Sequence, residues 1–268
     1  MKNNVALQYQ GFIDTHNLWE NDAVLDLFQF EIKPEYFQIS KPEDFNEIRL
    51  GKRVEQFFNF QIKNTSNIEL LDSNIQIKKD KLTIGELDAL ILEKGQPIHI
   101  EIIYKFYLFD PNIEGENELR KWIGPNRKDV FIYKLNKLLK KQLPLLHSKY
   151  SETTLKDLGL EVNSILQKVY YKAQLFLPFQ SKILDIKPLN PACICGFYTS
   201  YSKIEQLKGF QFYIPRKLDW LIIPHHNVGW ISFSNAKELI ENFIRVSRSP
   251  MVWIKKNNEL KKCFITYW

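Results

Sequence analysis

The sequence predicts a mixed α/β protein, a sheet covered by helices, and three observations predict it. Alternating apolar runs lie between residues 68 and 108, separated by short polar turns, and apolar residues at helical spacing occur before and after them. The 268 residues are 44% hydrophobic and 14% aromatic, enough for a substantial buried core. The order helix, three strands, helices, strand favours a mixed sheet with helices packed against it.

Residues 1–44 read as an N-terminal extension, with a helical run near 22–29 and an aromatic loop through Pro34, Tyr36, Phe37 and Pro42. Asp44 is placed to cap a helix reaching about Phe60, in which Ile48, Val54, Phe57 and Phe58 fall near helical spacing and which carries Glu55. Residues 68–77 and 82–92 around a polar turn at 78–81 form a hairpin signature, and a turn at 93–97 leads into a third strand over 98–108. Asn126, with Asp129 three residues on, is placed to cap a long basic helix ending near Leu143. A further helix is expected over 155–171, from Leu155, Leu158, Val162, Ile165, Leu166 and Val169, then a strand over 174–179. Beyond Pro188 come short aromatic strands, turns at Gly196, Gly209 and Gly229, a helix over 236–246 and a closing hairpin over 251–268. A boundary near residue 185 separates a core of residues 45–185 from a C-terminal α+β region, 186–268, packed on it.

Composition narrows the class. The first ten residues lack a basic stretch followed by an apolar run, and no window approaches eighteen apolar residues, so neither a signal peptide nor a membrane span is expected. Cys193 and Cys195 have no second pair at zinc-site spacing, and three cysteines in all fit a reducing cytoplasm. The net charge of +6 is unevenly spread: residues 121–150 hold eight Lys or Arg against one acid, Asp129.

Residues 85–105 carry acids and a lysine where apolar residues belong. On the third strand, His99, Glu101, Ile103 and Lys105 share one face and Ile100, Ile102, Tyr104 and Phe106 the other; Glu86 and Asp88 share a face of the second strand. If the two strands pair, Asp88 and Glu101 converge, and two carboxylates that close repel unless a cation sits between them. Oxygen ligands with room for water suit Mg²⁺ or Mn²⁺. Such an ion polarises a phosphoryl oxygen and lowers the pKa of a bound water, which a nearby lysine can orient. The plainer alternative is an exposed cross-strand charge ladder, worth a few tenths of a kcal/mol.

Helical Glu55, Gly85-Glu86-Leu87-Asp88, Glu101 and Lys105 together resemble the PD-(D/E)xK nuclease superfamily, the restriction-endonuclease-like fold. The resemblance covers residues 45–180 and implies a helix, three strands, helix, strand core. It implies a catalytic set of Asp88, Glu101, Lys105 and Glu55, with Asp88, Glu101 and Glu55 holding Mg²⁺ or Mn²⁺. The lysine stands four residues after its glutamate instead of two, with Ile103 in the usual place. The face is preserved, but the Cα lies about 6–7 Å further along the strand.

Arg49, Leu50, Gly51 and Glu55, Glu86 to Asp88, His99 to Glu101, Lys105 to Tyr107, Trp122, Gly124 to Arg127, Asp129, Lys134, Gln142, Leu143, Gly196, Trp220 and Leu221 resemble, more closely, the bacterial domain-of-unknown-function family 1853. That family is similar to a branch of the superfamily and brings no assigned activity.

In the basic helix Lys134, Lys137 and Lys141 form a stripe opposite Val130, Phe131, Leu135, Leu138 and Leu139. With Arg127 and Gln142 it would hold nucleic-acid phosphates without reading sequence, or it is simply a solvated face. Two functions follow: a Mg²⁺-dependent nuclease hydrolysing phosphodiester bonds, or a catalytically inactive nuclease-like module that binds nucleic acid or protein, which the displaced lysine favours. His225 and His226 read as surface or packing residues, Trp220, Trp230, Trp253 and Trp268 as C-terminal core. Oligomeric state and the choice of DNA or RNA are open at this level.

Overall fold

Nine strands form a single sheet among the residues described by the computed structural model, 3–181 and 185–268. Three antiparallel neighbours begin it: β1 (Ile68–Lys79), β2 (Leu82–Glu93) and β3 (Gln96–Phe109). The sheet continues through β5 (Leu166–Pro178), β6 (Ile194–Ser200) and β9 (Glu259–Thr266), each parallel to the one before, with β3 parallel to β5. An antiparallel edge of β8 (Met251–Lys256) and β7 (Gln211–Tyr213) closes the order, and the two-residue β4 (Trp122–Ile123) pairs with the end of β3. The sheet therefore runs without interruption from residues before 185 to residues after it.

The tight turns follow from residues that tolerate positive φ. Lys94 and Gly95 (50° and 83°) join β2 to β3, and Asn257 and Asn258 (48° and 66°) join β8 to β9. Gly196 has a different reason: a Cβ there would lie 2.1 Å from the Lys262 carbonyl oxygen, so only glycine lets β6 and β9 approach.

Helices cover both faces. α1 (Asn3–Asp14) and α2 (Leu50–Asn64) bring Phe12, Val54, Phe57 and Phe58 onto Ile98, Ile100, Ile102 and Tyr104 of β3. On the other face α3 (Phe131–Lys137) continues into a π-helical turn, Leu138–Gln142, and packs Phe131, Leu135 and Leu138 onto Ile103 and Tyr107. The short α4 (Glu152–Asp157) adds Leu155 to a smaller cluster with Leu87 and Leu90, and α5 (Phe233–Arg245) covers β8 and β9 with Ala236 and Ile240. Each fully buried Phe or Leu contributes about 1.5–3 kcal/mol.

Two buried lysines tie these layers together. Lys172 of β5 donates to the carbonyls of Phe12, Ile13 and Thr15, closing the C-terminal end of α1. Lys262 of β9 donates to Gln174 Oε1 and to the Trp220 carbonyl. Among the described residues no carboxylate pairs with either, and burial pushes both amines down to about 7.

The mixed α/β expectation holds, with local corrections. The expected helix over 155–171 is absent: α4 stops at Asp157, Gly159 turns at φ +67°, and Leu166 onward is strand. Val169, Tyr170 and Tyr171 are buried on a central strand that is covered continuously from Val169 to Leu177, so its residues carry no period-two signal. Residues 22–29 are turns and isolated bridges, with Leu25 and Asp26 at positive φ, and not a helix. The first core helix begins at Leu50, with Asp44 in a preceding 3₁₀ turn, Pro42–Asp44. The basic helix starts after Val130, and Asn126 instead accepts a hydrogen bond from the Ser249 N–H. α1 had no counterpart in the sequence reading, and no strand was expected at 122–123.

Candidate functional site

The site forms where β2 parts from β3. Their ladder runs from Glu93↔Gln96 to Ala89↔Ile100 and stops there. In place of the next ladder bond, the Asp88 carboxylate accepts the Ile102 backbone N–H at 2.8 Å. Glu101 is the next residue of β3 after the last paired position, and the Asp88 and Glu101 carboxyls act on each other's protonation. The two carboxyls that alternation placed on one face thus do converge.

Glu101 and His99 are fully buried. Gln142 donates from Nε2 to Glu101 Oε2, and Lys134 donates to Gln142 Oε1 at 2.6 Å, so lysine, amide and carboxylate form a relay from α3 to β3. On the other side of Glu101, His99 Nε2 lies 3.4 Å from Oε1, yet this is no ion pair: burial holds His99 down to about 4, hence neutral. The Gln167 amide donates to the Leu143 carbonyl at 2.8 Å and meets His99 Nδ1 at 3.0 Å, which assigns the proton to Nε2, facing Glu101. At 3.4 Å that contact is too long to satisfy the acceptor, and Glu101 Oε1 is left buried without a hydrogen-bond partner.

The charges respond accordingly. Burial raises Asp88 to about 7, with the Glu101 charge adding to it and the Ile102 N–H opposing. Burial raises Glu101 to about 7 as well, against the attraction of Lys134 and Lys137. Lys134 is pushed down by burial while Glu101 holds it up. α2 contributes a second carboxylate group: Lys52 donates to Glu55 at 2.7 Å, to Asn74 at 2.9 Å and to Glu86. Burial raises Glu55 to about 7 despite Lys52, with the Asp88 charge contributing.

The remaining expected residues divide. Lys105 pairs with Asp129 and not with Glu101. Arg127 is committed to structure: it pairs with the buried Asp110 and stacks 4.0 Å from the centroid of Trp268. Lys137 and Lys141 are exposed, as is Lys140 between them. Among the described residues no group of three or more His, Cys, Asp or Glu is arranged to hold a metal ion; Glu55 accepts from Lys52 and feels the Asp88 charge. Lys52 went unnoticed although it stands one turn before Glu55, and Gln167 was hidden in a segment expected to be helical.

A cavity of about 640 Å³ reaches Ile102, whose N–H holds Asp88, and Lys134 of the relay to Glu101, with Lys105 and Arg49 also in its lining; neither carboxylate lines it. A larger hollow of about 740 Å³, between α1 and residues 213–229, lies away from them, so size alone does not mark this site.

Fold and site together define a mixed α/β protein with a buried glutamate and a half-buried aspartate converging beside a cationic cleft. The chain belongs to the family described as Domain of unknown function (DUF1853), whose model matches residues 24–262. No curated protein and no solved structure matches it.

Proposed function

We propose that the protein is a divalent-metal-dependent nuclease of the PD-(D/E)xK type, hydrolysing phosphodiester bonds of nucleic acid. One observation carries the reading: Glu101 is fully buried, one of its carboxylate oxygens has no partner, and Asp88 lies beside it. Ionising both is unfavourable until a cation is shared between them. The order α2, β1, β2, β3, α3, β5, with the acids on adjacent strands, also supports it.

A pair of carboxylates suits Mg²⁺ or Mn²⁺, which are held by one or two carboxylates and otherwise keep water. When bound, such an ion supplies Lewis acidity toward a phosphoryl oxygen and a water of lowered pKa. Asp88 and Glu101 hold it. Asp88 is fixed by the Ile102 N–H and Glu101 by Gln142. Lys134, not Lys105, is the cation of the site: Gln142 connects it to Glu101, whereas Lys105 is neutralised by Asp129. Its amine, lowered by burial, is suited to orienting the attacking water or the phosphate. Lys137, Lys140 and Lys141 would hold neighbouring phosphates.

The test is purified protein with Mg²⁺ or Mn²⁺ and mixed single- and double-stranded DNA and RNA. Metal-dependent cleavage lost in Asp88→Asn and Lys134→Met is expected. Cleavage surviving Asp88→Asn would refute the assignment. The pairing of Lys105 with Asp129 favours a second reading, a nuclease-like module that binds nucleic acid without turnover; metal-independent binding and no cleavage over long incubation would decide for it.

A further inference from the structure

The geometry points to a binding groove for single-stranded nucleic acid that runs from the carboxylate site onto the C-terminal region, with Lys217 and Arg248 on its rim and Trp220 on its floor. This inference rests on the reading of the site as one for nucleic acid and names the state of the strand it takes. The 640 Å³ cavity beside the carboxylates and a second, of about 590 Å³, share Asn126, Lys217 and Trp220 in their linings. The first reaches Arg49, Lys105 and Lys128; the second reaches Arg248. Among the described residues Asp129 is the only acid lining either, and Lys105 neutralises it. Arg49, Lys128, Lys217 and Arg248 are all exposed. Among the described residues no hydrogen bond or salt bridge joins the side chains of these four to another side chain.

Beneath this rim the lining is apolar. Ile102 and Phe106 line the first cavity, Ile214, Phe243 and Met251 the second, and half-buried Trp220 belongs to both. Phe106 and Phe264 brace Trp220 edge-on at 5.4 and 5.2 Å, and Lys217 stands 5.7 Å above its ring. A cationic rim over an aromatic and aliphatic floor matches an unpaired strand, whose phosphates and base faces are presented together. A duplex keeps its base faces stacked inside and would meet the rim alone.

The test is fluorescence anisotropy in EDTA with a labelled 12-nucleotide single strand and the duplex of the same sequence, using the full chain and the double variant Lys217→Ala, Arg248→Ala. The single strand should bind about tenfold or more tighter than the duplex. The double variant should lose about tenfold for the single strand at an unchanged melting temperature. Its log Kd against log salt slope should fall by about 1.4, for two phosphate contacts. Equal or tighter duplex binding, an unaffected double variant, or no binding to either form would overturn the groove. Metal-dependent cleavage with an unchanged KM in the double variant would sink the groove and leave the nuclease standing. Binding in EDTA that depends on Lys217 and Arg248 without turnover would do the reverse.

Discussion

Replacing Glu101 with glutamine should make the protein more stable while removing what the site is for. Between its ordinary 4.5 and about 7, the folded chain holds a proton on Glu101 that the unfolded chain has released. The stability this group contributes is therefore complete below pH 4.5 and is lost as pH rises through 7. At about 1.4 kcal/mol per pH unit, ionising Glu101 at pH 8 costs on the order of 3 kcal/mol. The glutamine keeps the shape, can present its oxygen to Gln142, and can turn its amide toward Asp88. Burying an amide retains part of the cost, so the expected gain is about 2 kcal/mol at pH 8, or a rise of about 5 °C in Tm. The assay is thermal unfolding in EDTA at pH 5 and pH 8, repeated at pH 8 with Mg²⁺. The gain should be confined to pH 8, and Mg²⁺ should stabilise the wild type and not the variant. A variant less stable than wild type at pH 8, or equally stabilised at both pH values, would refute the reasoning.

Lys134→Met should reduce single-turnover cleavage by about 100-fold or more, whereas Lys105→Ala should change it by less than about threefold and cost at most about 1 kcal/mol of stability, since its bridge to Asp129 is partly solvated. Arg127→Ala should cost about 2–3 kcal/mol in urea unfolding, because it strands buried Asp110 and uncovers Trp268, without weakening nucleic-acid binding; a loss of affinity at unchanged stability would contradict that role. Lys172 and Lys262 bind protons more weakly folded than unfolded between about 7 and their ordinary 10.5, so their contribution to stability should rise from pH 7 to pH 9. Comparing denaturant midpoints of wild type and Lys262→Met over that range tests it, and a difference that does not change with pH would count against it.

The hairpin and third strand were legible because β1 to β3 alternate and their turns use Asp80, Lys94 and Gly95 at positive φ. The convergence of Asp88 and Glu101 was legible for the same reason, since period two fixes the face. Only the end of β5 was legible, where the strand expected over 174–179 falls; its first half is covered by α1 on one side and α3 on the other, so Ile165, Leu166 and Val169 read as the end of a helical stripe. Nor was the pairing of Lys105 with Asp129 legible, because Asp129 sits in a loop between β4 and α3. Lys134 was visible as part of a cationic stripe. Its inward orientation depends on the turn that carries Gln142, which sequence spacing does not announce.

That turn has a consequence for how the chain can vary in length. Gln142, which meets Glu101, closes residues 138–142, and these wind as a π turn, one residue wider than an α turn. Each residue advances an α-helix by about 100°. A π turn advances only about 80° per residue, so its five residues cover nearly the angle of four in an α-helix. Deleting one of Leu138 to Lys141 should let the segment relax to an α-helix with Gln142 still facing Glu101, whereas inserting a further residue would turn it away.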